Sequence, residues 1–183
     1  MSAEAAGREW IDAGLRALRD EGVEAVRVER LASVIGKTKG SFYWHFADRK
    51  ALLDALLDAW RRRATQAVIV EVEARGGDAR RRLTTLFEIT FEADGRLERA
   101  MRDWSRGDQT VARAIAAVDR RRLRYVEAAL IETGLDAPTA KWRARFAYQA
   151  LVGRFVMRPE APRRASGRGA PGPAMLVDWL TRA

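Results

Sequence analysis

"GKTKGSFYWHFADRKALL", residues 36 to 53, is the stretch on which the reading of this chain turns. Four rings, Phe42, Tyr43, Trp44 and Phe46, crowd beside Lys37, Lys39, His45, Arg49 and Lys50, straight after Gly36. The segment is too short for a core helix. Just before it, Val28 to Ile35 gives a short helix with Leu31, Val34 and Ile35 inward, ended by Gly36. Thr38 is placed to cap a second short helix over Lys39 to His45, and Asp48 to cap a third. A helix, a glycine-led turn and a short second helix make a helix-turn-helix. The first braces the second, so that the outer face of the second can enter the DNA major groove. On that face Lys39, Ser41 and Trp44 can reach base edges or phosphates, and Gly40 lets the backbone come close. Tyr43 and His45 carry polar tips suited to phosphate oxygens. Phe42 and Phe46, four apart, face inward as packing. Arg49 and Lys50 add positive potential at the start of the following helix.

Outward from this stretch the pattern is helical almost throughout, and the fold class expected is all-α with about nine helices. Ile11, Leu15 and Leu18 line one face of a first helix over Ala3 to Glu21. Leu52, Leu53, Leu56, Leu57 and Trp60 repeat at helical spacing after Asp48, in a helix that can run to Arg75 before Gly76-Gly77. Further helices are expected around Leu83 to Phe91, Leu97 to Trp104, residues 108 to 134 and Asp136 to Met157. A last one covers "AMLVDWLTR". "RPEAPRRASGRGAPGP", residues 158 to 173, holds four of the five prolines and reads as a loop.

Composition narrows the function classes. At 48% hydrophobic and 32% charged residues, the chain is globular rather than disordered. It has no cysteine, which excludes disulfides and thiolate metal sites, and one histidine, which has no second to share a metal with. No catalytic motif, phosphate-binding glycine loop or nucleophile elbow is present, so neither enzymatic activity nor a cofactor is expected. No apolar run is long enough to cross a bilayer and no apolar signal region opens the chain, so a cytoplasmic location is expected. The net charge is +9, yet residues 1–63 carry 12 Lys+Arg against 10 Asp+Glu, a net of only +2. Basicity alone therefore points at the wrong half, and a DNA argument must rest on where the front's cations sit. "DRRRLRY", Asp119 to Tyr125, and the loop arginines Arg158, Arg163, Arg164 and Arg168 read as solvated faces, with non-specific contact with DNA or RNA as the alternative for the loop.

From about Arg8 to Trp60 the chain resembles the DNA-binding domain of TetR-family (tetracycline-repressor-like) transcriptional regulators. "LASVIGKTKGSFYWHFADRKALL" carries Lys39-Gly40-Ser41, Tyr43, Phe46 and Lys50 at that family's spacing. The resemblance makes Lys39, Ser41, Tyr43, Trp44, His45 and Lys50 DNA contacts, and Arg27, Lys37, Thr38 and Gly40 complete the expected contact set. Two positions depart from the family pattern. Lys37 stands where a small aliphatic residue usually packs in the turn, and it either points to solvent or adds a contact. Arg27 stands where a Thr or Ser often caps the second helix, and its fork can still reach a phosphate.

The resemblance further implies residues 1–60 as the DNA-binding domain and 61–183 as a helical domain for effector binding and dimerisation. Dimerisation also has an independent reason, since one short helix covers too few bases for useful specificity. Phe146, Ala150 and Gly153, with Leu176 and Trp179, are the expected seam of a homodimer; the alternative is a helix buried within its own subunit. Phe87, Thr90, Phe91, Met101, Trp104, Tyr125, Phe146 and Tyr148 are either lining for a small lipophilic or aromatic effector or plain core. The function expected is a dimeric repressor of a palindromic operator in double-stranded DNA, released by its ligand. A transcriptional activator, or a non-specific architectural nucleic-acid-binding protein, is the alternative.

Overall fold

The computed structural model describes residues 3–157 and 172–182, so Arg158, Arg163, Arg164 and Arg168 lie outside the described residues. Within them the fold is all-α, without a strand. The order is α1 (Ala3–Glu21), a 3-10 turn (Val23–Ala25), α2 (Val28–Val34), α3 (Lys39–Tyr43) and α4 (Arg49–Arg61). A π-helical turn (Arg62–Ala67) then leads into α5 (Val68–Arg75), which ends at Gly76. There follow α6 (Ala79–Glu92), α7 (Arg96–Ser105), α8 (Gln109–Glu132), α9 (Ala137–Val156) and α10 (Pro173–Thr181).

Local chemistry sets these boundaries. Asp48, Asp78 and Asp136 each accept a hydrogen bond from the amide three residues on, at 2.7, 2.8 and 3.0 Å. Thr38 Oγ1 does the same for Ser41 N at 3.2 Å. Each such cap satisfies an amide that the helix itself leaves unpaired, and contributes about 0.5–2 kcal/mol. Gly36 has φ +65°, a left-handed turn that a side chain would strain, and so α2 ends where a glycine permits it. The expected Lys39 to His45 helix stops earlier, at Tyr43. The His45 and Phe46 amides both donate to the Phe42 carbonyl, at 2.9 and 3.0 Å, which turns the chain toward Asp48.

The chain packs as two compact units. The first is Met1–Ala64 with Arg96–Ala116, the second Thr65–Gly95 with Ala117–Ala183. In the first unit Trp10, Leu18, Val26, Leu31, Phe42, Leu52, Leu56, Trp60 and Met101 are fully buried, and α7 packs against α1. A Cβ on Gly14 would stand 2.8 Å from Leu56 Cδ2, so it is the missing side chain that lets α1 lie against α4. The second unit buries Leu83 and Phe87 of α6, Val126, Ala129 and Leu130 of α8, the alanines 140, 144 and 147 of α9, and Val177 and Leu180 of α10.

One inward assignment is corrected. Val34 is 66% exposed, whereas Val28, Leu31 and Ala32 are buried. With ~3.6 residues per turn, Val34 falls off the stripe that those three define, and Ile35 takes the inward place at the helix end.

Phe42 is wholly buried, and truncating it opens a cavity under α3. Phe42→Ala is expected to destabilise the first unit by about 3–5 kcal/mol, read by urea unfolding. A loss below about 1 kcal/mol would mean that the ring does not hold α3 down.

Candidate nucleic-acid interface

Two packed helices present a third. The Phe42 ring meets Trp10 of α1 edge-on, with centroids 5.2 Å apart, and stacks on Phe46 at 5.4 Å. Anchored from beneath in this way, α3 turns Lys39 and Tyr43 outward, with Trp44 just after it. Tyr43 is 54% and Trp44 87% exposed, a large ring area to leave in water. At Gly40 an added Cβ would meet nothing closer than Thr38 Oγ1 at 3.7 Å, so glycine is not demanded by the protein's own packing there. What it keeps clear is the outer surface.

The polar groups around α3 divide by where their hydrogen bonds already go. Ser41 Oγ donates its one proton to the Thr38 carbonyl at 2.8 Å, which leaves it an acceptor. Thr38 Oγ1 accepts from Ser41 N and keeps its own proton to give. Arg27 Nε donates to the Glu24 carbonyl at 2.9 Å and stays exposed at the start of α2. His45 is half-buried, its Nδ1 on the side of Gly7.

Every lysine in the expected contact set faces a carboxylate. Lys37 Nζ stands 3.2 Å from Glu9 of α1. Lys39 reaches Glu29 of α2 at 2.6 Å, and Lys50 reaches Asp54 at 2.7 Å. The hydrogen bond from Lys39 holds the Glu29 carboxyl below its ordinary pKa, and the same bond raises Lys39. Lys50 is raised by Asp54 in the same way.

Arg49 is a correction. Its position at the start of α4 suggests a cation waiting for a phosphate, but its guanidinium is turned into the protein. Nε donates to the Val26 carbonyl at 2.6 Å and Nη2 to the Val23 carbonyl at 2.8 Å. Arg49 thus ties the start of α4 to the turn that precedes α2, and fixes one end of the helix-turn-helix to the other. The pairing escapes sequence reading because its acceptors are backbone oxygens 23 and 26 residues away.

The residues expected around an effector are divided between the two units. Phe87 is core in the second unit and meets Phe91 edge-on at 6.3 Å; the Thr90 hydroxyl donates back to the Leu86 carbonyl at 2.9 Å. Met101 and Trp104 belong to the first unit. Tyr125 donates to Glu73 at 2.6 Å, and burial raises its pKa. Tyr148 donates to Asp119 at 2.6 Å and accepts from Arg122, whose Nε reaches the buried Thr65 of the π turn at 3.1 Å. Burial pushes the Tyr148 hydroxyl up to about 12. Part of "DRRRLRY" is therefore an inward polar network and not a solvated face.

On the expected seam, α9 has two faces. Its inner stripe of alanines packs in the core, while Trp142 and Phe146, 60% and 48% exposed, stack on the outer side at 5.7 Å. Trp179 of α10 comes within 5.5 Å of Phe146 and is itself 46% exposed. Ala150 lies on the same outer side, Gly153 is partly covered, and Leu176 packs on the core. Trp142 is absent from the expected set, although its spacing four residues before Phe146 places it there.

Comparison with known proteins agrees with the front of the chain. Residues 11–56 match the family model described as bacterial regulatory proteins, tetR family. Tetracycline repressor protein class C of Escherichia coli is 43% identical over 49 residues, which is 27% of this chain and 22% of that protein. The chain thus matches about a fifth of that relative's length. Over nearly the whole chain, a transcriptional regulator from Rhodococcus sp. Rha1 has the same fold, with a TM-score of 0.70 at 20% identity, covering 96% of this chain and 91% of that one. The superantigen PfiT is similar to the same degree, with a TM-score of 0.68 at 18% identity over 99% of this chain and 96% of its own. The overall fold is thus shared by proteins described in different terms, and the functional information rests on the tetR-family match over residues 11–56.

Replacing Arg49 by Met removes the donors to two carbonyls, and is expected to cost about 1–3 kcal/mol of unfolding free energy. Lys50→Met, one residue on and exposed, is expected to change it by no more than about 0.5 kcal/mol. Equal losses in urea unfolding would return Arg49 to the surface cations.

Proposed function

We propose that this chain is a sequence-specific DNA-binding transcriptional regulator that acts as a homodimer, with each α3 in a major groove of a palindromic operator. The observation that carries the reading is the outward face of α3, where Lys39, Tyr43 and Trp44 stand exposed over a fully buried Phe42. The major groove admits one helix, and a short helix enters it only if something behind holds it rigid. Arg27, Thr38, His45 and Lys50 flank that face and serve the phosphates, with Gly40 allowing the approach. Ser41 serves as an acceptor or holds the turn.

Residues 1–60 carry the DNA contacts in this reading, and 61–183 the dimer contacts and the effector. The outer side of α9 with α10, where Trp142, Phe146 and Trp179 are exposed together, supports pairing with a second copy. Two-fold pairing sets two recognition helices about one DNA turn apart. A small lipophilic or aromatic ligand that prefers a different helix arrangement releases the operator, and a differential affinity of a few kcal/mol suffices. The regulator acts as a repressor and works in the cytoplasm. An activator would use the same DNA chemistry.

Selection of bound sequences from a random DNA pool tests the reading, and a palindromic consensus is the expected result. Equal affinity for selected and random DNA would instead mark an architectural protein. Lys50→Ala is expected to weaken binding to every sequence and to flatten the salt dependence by about one unit of slope. Phe146→Asp puts a charge in the seam, and sedimentation is expected to show a monomer where the wild type is a dimer. A dimer that survives this change would exclude the α9 face as the seam.

A further inference from the structure

The three lysine–carboxylate pairs near α3 differ in what they can do. Glu9 holds Lys37 back against α1, and Asp54 lies one turn along the same helix from Lys50. The Lys39–Glu29 pair alone among them joins α2 to α3, with both side chains more than half exposed at 55% and 67%. The carboxylate therefore stands on the same outward surface as the ammonium, with the two charged atoms 2.6 Å apart.

We propose that Glu29 and Lys39 act as one unit that reads a single G·C base pair of the operator. This deepens, and rests on, the reading of α3 as the helix that enters the groove. The chemistry is complementary. In the major groove guanine offers two neighbouring acceptors, N7 and O6, and the cytosine of the same pair offers its N4 amino group as a donor. An ammonium only donates, through three hydrogens, and an ionised carboxylate only accepts. Lys39 Nζ takes the two guanine acceptors while Glu29 takes the cytosine amine beside them. The other pairs mismatch. A T·A pair presents the thymine methyl where N7 would stand, and an A·T pair brings thymine O4 against the carboxylate. A reversed C·G pair exchanges donor and acceptor. The carboxylate also repels phosphate oxygens, so it penalises complexes in which α3 sits out of register.

The pair further explains the low charge of the front. A recognition surface whose lysine already has a carboxylate gains less from any polyanion, and it keeps its gain for a site that satisfies both groups.

The experiment measures affinity of the full chain for its selected operator and for a series in which each base pair of one half-site is replaced in turn. Wild-type protein is expected to show one G·C position whose replacement costs about tenfold or more. Glu29→Ala is expected to reduce that cost to about threefold or less while the other positions keep theirs, and Lys39→Met is expected to act at the same position. Glu29→Gln keeps the shape and one acceptor without the charge, so an intermediate result is expected. The proposal is overturned if Glu29→Ala strengthens binding to all sequences alike, which would make Glu29 a repelling charge only. It is equally overturned if the two variants act at different positions, or if no G·C position responds. A wild type without any sequence preference would overturn the regulator reading as well. Retained preference with an unresponsive Glu29 would overturn the pair alone.

Discussion

A helix of five residues does not hold itself together in water; α3 exists because the Phe42 ring is sunk between Trp10 and Phe46. That single buried ring decides which side of α3 faces water, and so which residues stand on its outward surface. Burying one such side chain contributes about 1.5–3 kcal/mol toward the cost of ordering that turn, which is about 1–2 kcal/mol per residue. The neighbours follow from it. Thr38 caps the turn, the Phe42 carbonyl takes the two amides that bend the chain away, and Arg49 ties the next helix to the turn before α2.

The electrostatics of the front are those of a restrained surface. A strongly basic interface binds any polyanion, and its affinity rises without discrimination as salt falls. Here the cations nearest α3 already face carboxylates, and Arg49 is spent inside the protein. Exposed ion pairs of this kind contribute little to folding, so their placement is better understood through what they allow a partner to do. A partner of this surface must offer more than charge.

In the second unit α9 reconciles two demands along one helix. Alanines at 140, 144 and 147 present little bulk, so α9 can pack closely in a core shared with α6, α8 and α10. The opposite side carries Trp142 and Phe146, which with Trp179 leave a ring surface in water. The same unit holds a partly buried network of Arg122, Tyr148, Asp119 and Thr65, in which each side chain has a hydrogen-bond partner. Such networks are stable in a low-dielectric setting only when satisfied, and a missing member would leave the rest costly.

Helix positions, caps and the inward pair Phe42 and Phe46 were legible in the amino-acid sequence because they depend on contacts within one or two turns. Periodicity, glycine and a capping Asp or Thr act locally, and a linear reading can follow them. The destinations of long side chains were not legible. Whether Arg49 points outward or meets the carbonyls of Val23 and Val26, and which carboxylate Lys37 pairs with, depends on which segments lie within reach once the helices have crossed. The Lys39–Glu29 pair and the Arg122–Tyr148 network depend on it equally. The sequence by itself determined an all-α chain with a helix-turn-helix near its front. Tertiary structure decided where the charges and rings point, because that is a property of the distances between helices, and neighbouring residues along the chain do not encode it.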